Sequence, residues 1–202
     1  MGDKQTEIDM APRSTPPQHG VFPVNLHHPT PAARVFIVLT GTGVLAASGA
    51  VAIPIGPVPI TLQTYAVLLV GALFGPRLGL ATVAAWLVEA LIGLPVLAGG
   101  HGGPVALFGP TAGYLLGFLP AVAFIGWFAR QGWTARLLAS FAAMLTAHVA
   151  ILLAGVLWLS LQFGWARALA VGLMPFLTGS VLKSALVVVT LRLMQVGRPT
   201  TY

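Results

Sequence analysis

An all-α, polytopic membrane protein of six transmembrane helices is the architecture these 202 residues predict. Composition is the first reason. Hydrophobic residues make up 57% and charged residues only 7%, with a mean hydropathy of +0.91, whereas a soluble domain carries about 25% charged residues. Segmentation is the second: apolar spans fall near 34–53, 61–75, 78–93, 111–130, 136–158 and 171–196. The third is the alternation of short basic connections with long Pro/Gly-rich apolar ones.

Residues 1–33 are polar and hold six prolines. Such a segment cannot bury an apolar face, so it is expected to be a disordered cytoplasmic tail, leaving 34–198 as the membrane domain. His27 and His28 within it read as a solvated pair rather than a metal site. Arg34 followed by the apolar stretch 35–47 imitates a signal sequence, but five further spans follow, so it is expected to be a retained anchor. A spanning helix takes about 20 apolar residues, so the second and third spans are short, as segments ending in structured loops would be. The remaining three are long enough to cross.

Lys and Arg set the orientation. With the N-terminus in the cytoplasm, the inner side receives Lys4, Arg13, Arg34, Arg77, Arg130, Arg136, Arg192 and Arg198, and the outer side only Arg167. This positive-inside asymmetry predicts a multi-pass protein of the cytoplasmic (inner) membrane with both termini cytoplasmic. The net charge of +6 is spread singly rather than clustered with aromatics, which argues against nucleic acid as a partner and for membrane lipid. No Cys is present, so disulfides, thiolate metal sites and thiol nucleophiles are excluded.

The two outer connections, 53–60 and 93–110, are dense in Pro and Gly yet apolar between them. That density predicts non-helical backbone. Non-helical apolar backbone survives at membrane depth only when packed in protein or lining a cavity. Both loops are therefore expected to fold over the outer mouth of the bundle and cap a pocket.

Two charges point to the same place. Glu89 is the only acidic residue between Val35 and Val196, and Lys183 is the lone charge of its apolar run. An ionised group in hydrocarbon costs at least about 2.5–3.5 kcal/mol, so it normally faces a partner, a cavity or a ligand. At 1.5 Å per residue, Glu89 lies about 6 Å and Lys183 about 12 Å below the outer ends of their spans. The functional reading places both in one outward-facing pocket; the structural one has them pair and hold two helices together.

Near them, Gln63 follows Thr61 at the start of the second span and offers a polar guest both donors and an acceptor, while Thr61 can cap that helix. Trp86 lies one turn before Glu89 and can share its face. Thr42, Ala46 and Ala50 form a small-residue row on the first span, with Gly43 and Ala47 beside it, suited to docking another subunit. Gly113 and Gly117 on the fourth span suit packing within the bundle. The sequence has no phosphate-binding loop, so the chain does not power transport by its own ATP hydrolysis. No cofactor or metal centre is expected, since Glu89 has no second ligand at suitable spacing. Ser180 and His148 could be read as an intramembrane serine hydrolase pair, but no orienting third group accompanies them, and His148 is expected to bond a neighbouring helix.

The stretches 57–64, 71–79, 92–96, 109–118 and 175–179, together with Lys183, resemble the BioY family, the biotin-specific substrate-capture (S) components of energy-coupling-factor transporters. The resemblance runs over roughly 35–197. It implies a six-helix fold, a vitamin pocket roofed by the first two outer loops, and uptake of biotin without covalent chemistry. It also implies docking through the first helix on a membrane T component with two ATPase subunits, although some members act without the full module, alone or as homo-oligomers. In the family the pattern after Pro-Phe-Leu-x-Gly is Asp-x-x-Lys, both reaching the biotin head group. Lys183 matches, but Ser180 stands where the acid is expected. Glu89 or the Ser180 hydroxyl is then expected to accept the ureido N–H bonds, with Lys183 on the ureido oxygen or the valerate carboxylate. Trp86, and secondarily Tyr114, would wall the thiophane ring. Capture of another small vitamin is the closest alternative.

Overall fold

The computed structural model describes residues 29–132 and 136–196. The expected tail falls almost entirely outside them. Thr30 accepts a hydrogen bond from the Ala33 amide at 3.2 Å and Pro31 occupies the first helical position, so α1 (Pro31–Ala50) starts three residues earlier than expected.

A two-residue antiparallel ladder follows, β1 (Ala52–Ile53) with β2 (Ile60–Thr61), pairing Ala52 with Thr61 and Ile53 with Ile60. The prolines between them exclude helix, and the chain closes as a hairpin instead. Among the described residues this ladder is the one departure from a wholly helical fold.

α2 (Gln63–Leu91) holds two of the expected spans. Gly75 breaks it, at φ 76° and ψ 178°, a conformation that favours glycine. The two arms then fold back on each other, because a Cβ added to Gly79 would lie 3.4 Å from the Gly71 Cα, far closer than eight residues of straight helix allow. A single residue thus makes the turn between the second and third spans. Gly126 permits the tightest approach to that turn: a Cβ there would meet the Pro76 nitrogen and the Gly75 carbonyl carbon.

The second long loop contains a 3-10 turn at Ala98–Gly100 and a one-turn helix, α3 (Pro104–Leu107). Density of Pro and Gly did not exclude helix altogether, since Pro104 sits at the first helical position, where its missing N–H costs nothing. α4 (Ala112–Arg130) and α5 (Leu137–Phe163) follow. Gly164, at φ 77°, turns the chain into α6 (Trp165–Gly172), a 3-10 turn at Met174–Phe176 and α7 (Leu177–Val196).

Among the described residues five helical stretches are long and apolar enough to cross a membrane, and the fold-back in α2 supplies the sixth crossing. The core lies where α2 packs on α1 and α4, and α4 on α5. Leu45, Leu68, Val83, Trp86, Val122, Ile125, Met144 and Ile151 are fully enclosed there. α4 lies close against α5 because Gly113 and Gly117 face Ala154 and Ile151, the within-bundle role expected of small residues.

Candidate functional site

Both Pro/Gly-rich loops close over one end of the bundle. Beneath them lies a cavity of about 550 Å³, within the range of small-molecule sites. The hairpin contributes Pro57, Val58 and Pro59, with Val58 only 5% exposed, and the second loop contributes Leu97, Ala98 and His101.

Two indoles hold the second loop down. The Trp86 Nε1 donates to the Val96 carbonyl at 3.1 Å, and the Trp158 Nε1 to the Gly109 carbonyl at 3.0 Å. The Gly103 amide also bonds the Ala90 carbonyl at the end of α2, at 2.7 Å. These bonds anchor the loop over the cavity at both ends and satisfy the backbone groups that make them.

The walls are mostly apolar, with aromatic surface from Tyr114, Phe118 and Phe176. Tyr114 and Phe176 lie 6.1 Å apart by ring centroids. The Tyr114 hydroxyl donates to the Gly172 carbonyl at 2.7 Å and ties α4 to the end of α6. Its ring has room because Gly155 faces it, where a Cβ would run into the ring.

The polar groups enter from three helices. From α2 come Gln63, 5% exposed, and Thr64. The Gln63 Oε1 accepts from the Thr61 hydroxyl at 3.3 Å, while its Nε2 has no partner and lies against Gly49 of α1. Thr61 also accepts from the Gln63 amide, but the N-cap of α2 is Leu62 and no side chain caps it, so the expected cap by Thr61 is not formed. From α7 come Ser180 and Lys183. The Ser180 hydroxyl donates to the Phe176 carbonyl at 2.9 Å, so its oxygen keeps lone pairs for a guest. The Lys183 Nζ donates to the Thr64 hydroxyl at 3.3 Å. From α5 comes His148, whose ring contacts Ser184 of α7 at 2.9 Å, the interhelical bond expected of it.

Of the sequence-derived candidates, the cavity thus gathers Gln63, Tyr114, Ser180 and Lys183. It does not gather Glu89 or Trp86. Trp86 is fully buried behind Phe118, with ring centroids 6.1 Å apart, and acts on the site through the roof and the aromatic wall. Glu89 is half-buried at the margin of the stripe formed by Val83, Trp86 and Ala90, and it is absent from the cavity lining. Neither reading of a Glu89–Lys183 meeting holds, because Lys183 bonds Thr64 instead. Ser180 and His148 do not bond each other either: each has another partner.

Thr64, Phe118, Phe176 and His148 were missed as site residues. Thr64 carried a usable signal, being the last polar residue of the first turn of α2. Phe118 and Phe176 sit in apolar runs with no distinguishing spacing, whereas His148 stood out as a polar residue in such a run and was read only as a bond to a neighbouring helix. On α1 the small-residue row divides: Thr42 is buried at 4% exposure within the bundle, Ala46 is half-buried, and Ala50, Gly43 and Ala47 are exposed.

Helices that cross a membrane, a loop-roofed chamber and a few polar groups, one of them cationic, define a multi-pass membrane protein built to hold a small guest. The BioY family matches residues 22–199, and the chain belongs to that family. Among relatives, it is 36% identical over 155 residues to "Biotin transporter BioY2" of Lactococcus lactis subsp. cremoris, covering 76% of this chain and 85% of that one. It is 34% identical over 165 residues to "Biotin transporter BioY" of Thermotoga maritima, covering 78% and 94%. Among solved structures, the S-component for biotin from an ECF-type ABC transporter superposes with a TM-score of 0.74 at 32% identity, over 84% of this chain and 96% of that one.

Proposed function

We propose that the chain takes up biotin across the membrane as the substrate-capture component of an ECF-type transporter. The observation that carries this reading is the roofed cavity with Lys183 as the only Lys, Arg, Asp or Glu in its lining among the described residues. Biotin fits its chemistry. The thiophane ring and aliphatic tail suit walls of Tyr114, Phe118 and Phe176, and the ureido group suits a small set of fixed polar atoms. The relatives named as biotin transporters and the biotin S-component support the same choice over another vitamin.

Lys183 donates to the ureido oxygen or pairs with the valerate carboxylate, and the Ser180 oxygen accepts from a ureido N–H. Gln63 contributes from the roofed side. Glu89 has no part in the guest's cage. No covalent step is needed, so the chain is a carrier component rather than an enzyme. A serine hydrolase is disfavoured because the Ser180 hydroxyl donates to a backbone carbonyl and His148 bonds Ser184.

The roofed end faces outward and both termini face the cytoplasm, in keeping with the Lys and Arg asymmetry. The exposed face of α1 with Ala46 and Ala50 docks the T component, which brings two ATPase subunits; Thr42 supports this face from inside the bundle. Titration of the purified protein with biotin, thiamine and riboflavin tests the reading. Heat with biotin alone supports it, and tight binding of another vitamin without biotin overturns it.

A further inference from the structure

His148 is 1% exposed, yet it belongs to the cavity lining, so its ring is set into the chamber's wall. Its Nδ1 lies 3.1 Å from the Met144 carbonyl, one turn back on α5, and 2.9 Å from the Ser184 hydroxyl. With the Nδ1 donating to the Met144 carbonyl, which only accepts, the Nε2 of the neutral ring is a bare acceptor, and the Ser184 hydroxyl, which can donate or accept, is compatible with that tautomer. That Nε2 has no partner. An enclosed acceptor left without a hydrogen bond is rare and calls for a donor from outside the protein.

The surroundings indicate which donor. Ser184, which holds the ring, lies one turn past Ser180 on the same face of α7, and Ser180 and the neighbouring Lys183 line the same cavity. The site therefore presents an acceptor at Ser180, a donor at Lys183 and an acceptor at His148. A cyclic urea presents the complement: N–H, C=O, N–H. Ser180 by itself supplies one neutral acceptor for two such N–H groups, and Glu89 does not line the cavity.

We propose that the Nε2 of His148 accepts one N–H of the guest's cyclic urea, with Ser180 taking the other and Lys183 the carbonyl. This rests on the biotin reading above. It makes His148 a specificity-determining residue, with the Met144 carbonyl holding the proton on Nδ1 and Ser184 bracing the ring.

The test is titration of the purified full chain with biotin and with each of the two biotins methylated on one ureido nitrogen. Wild type is compared with His148→Asn, which keeps a donor toward Met144 but removes the ε nitrogen, and with His148→Gln, which places an oxygen near that position. Wild type should prefer biotin over one methylated isomer by about 10- to 100-fold. His148→Asn should lose a comparable factor for biotin and most of that preference, and His148→Gln should recover part of both. Biotin affinity within about twofold of wild type in His148→Asn, with the preference intact, overturns the assignment to His148 and leaves the biotin reading standing. Wild type that binds no biotin overturns both together. Should the variants fail to give monodisperse protein, the ¹⁵N signal of the His148 Nε2 in wild type decides, assigned in protein whose other histidines are replaced. A marked change on saturation with biotin supports the proposal, and an unmoved signal overturns it.

Discussion

The Lys183 ammonium reaches from α7 to the Thr64 hydroxyl on α2, 3.3 Å away, and among the described residues no carboxylate stands in the cavity lining beside it. One long hydrogen bond to a neutral hydroxyl is poor recompense for lost hydration. A guest that pairs with Lys183 would therefore stabilise its charge better than Thr64 alone does.

Replacing Lys183 by Met should for that reason stabilise the ligand-free protein. Removal of an incompletely paired buried cation is worth about 2 kcal/mol, and the thermal midpoint in detergent should rise by several degrees. A fall in the midpoint would mean that Lys183 serves the fold.

Glu89→Gln should leave biotin affinity within about threefold of wild type, since Glu89 lies at the margin of a buried stripe and off the cavity. Titration calorimetry checks this. A loss of a hundredfold or more would bring Glu89 back to the guest.

How much of this site could be read from the residues alone follows from those two charges. Lys183 and Ser180 were legible because polar groups stand out in an apolar run, and the roof because Pro and Gly exclude long helix. Glu89 stood out equally but faces elsewhere. Spacing fixes which residues share a face of one helix, and it leaves open which neighbour that face meets. Trp86 illustrates the same limit: its ring packs on Phe118, one layer behind the cavity wall. The fold-back at Gly75 was legible as a short basic connection, although its compression to a single residue depends on Gly79 meeting Gly71 and on Gly126 meeting Gly75 and Pro76.

Trp86→Phe should remove the 3.1 Å bond to the Val96 carbonyl while keeping most of the packing. The loop would be held less firmly, and biotin affinity should drop about three- to tenfold, chiefly through faster dissociation. Stopped-flow fluorescence with a competing ligand measures that rate. An unchanged rate would remove the indole from any role in holding the roof.

Gly155→Ala should push the Tyr114 ring out of place, because the new methyl group would run into it. Overpacking of this kind costs about 1–3 kcal/mol, and it should also loosen the bond from Tyr114 to the Gly172 carbonyl. A thermal midpoint equal to wild type would show that the α4–α5 contact is slack.

The most direct measurement is isothermal titration of the purified protein with biotin, run in parallel on wild type and Lys183→Ala. The account predicts one saturable site in wild type and a loss of affinity of at least about a hundredfold in the variant. Equal affinity in the two proteins would contradict it, because the guest would then gain nothing from the one charge in the chamber.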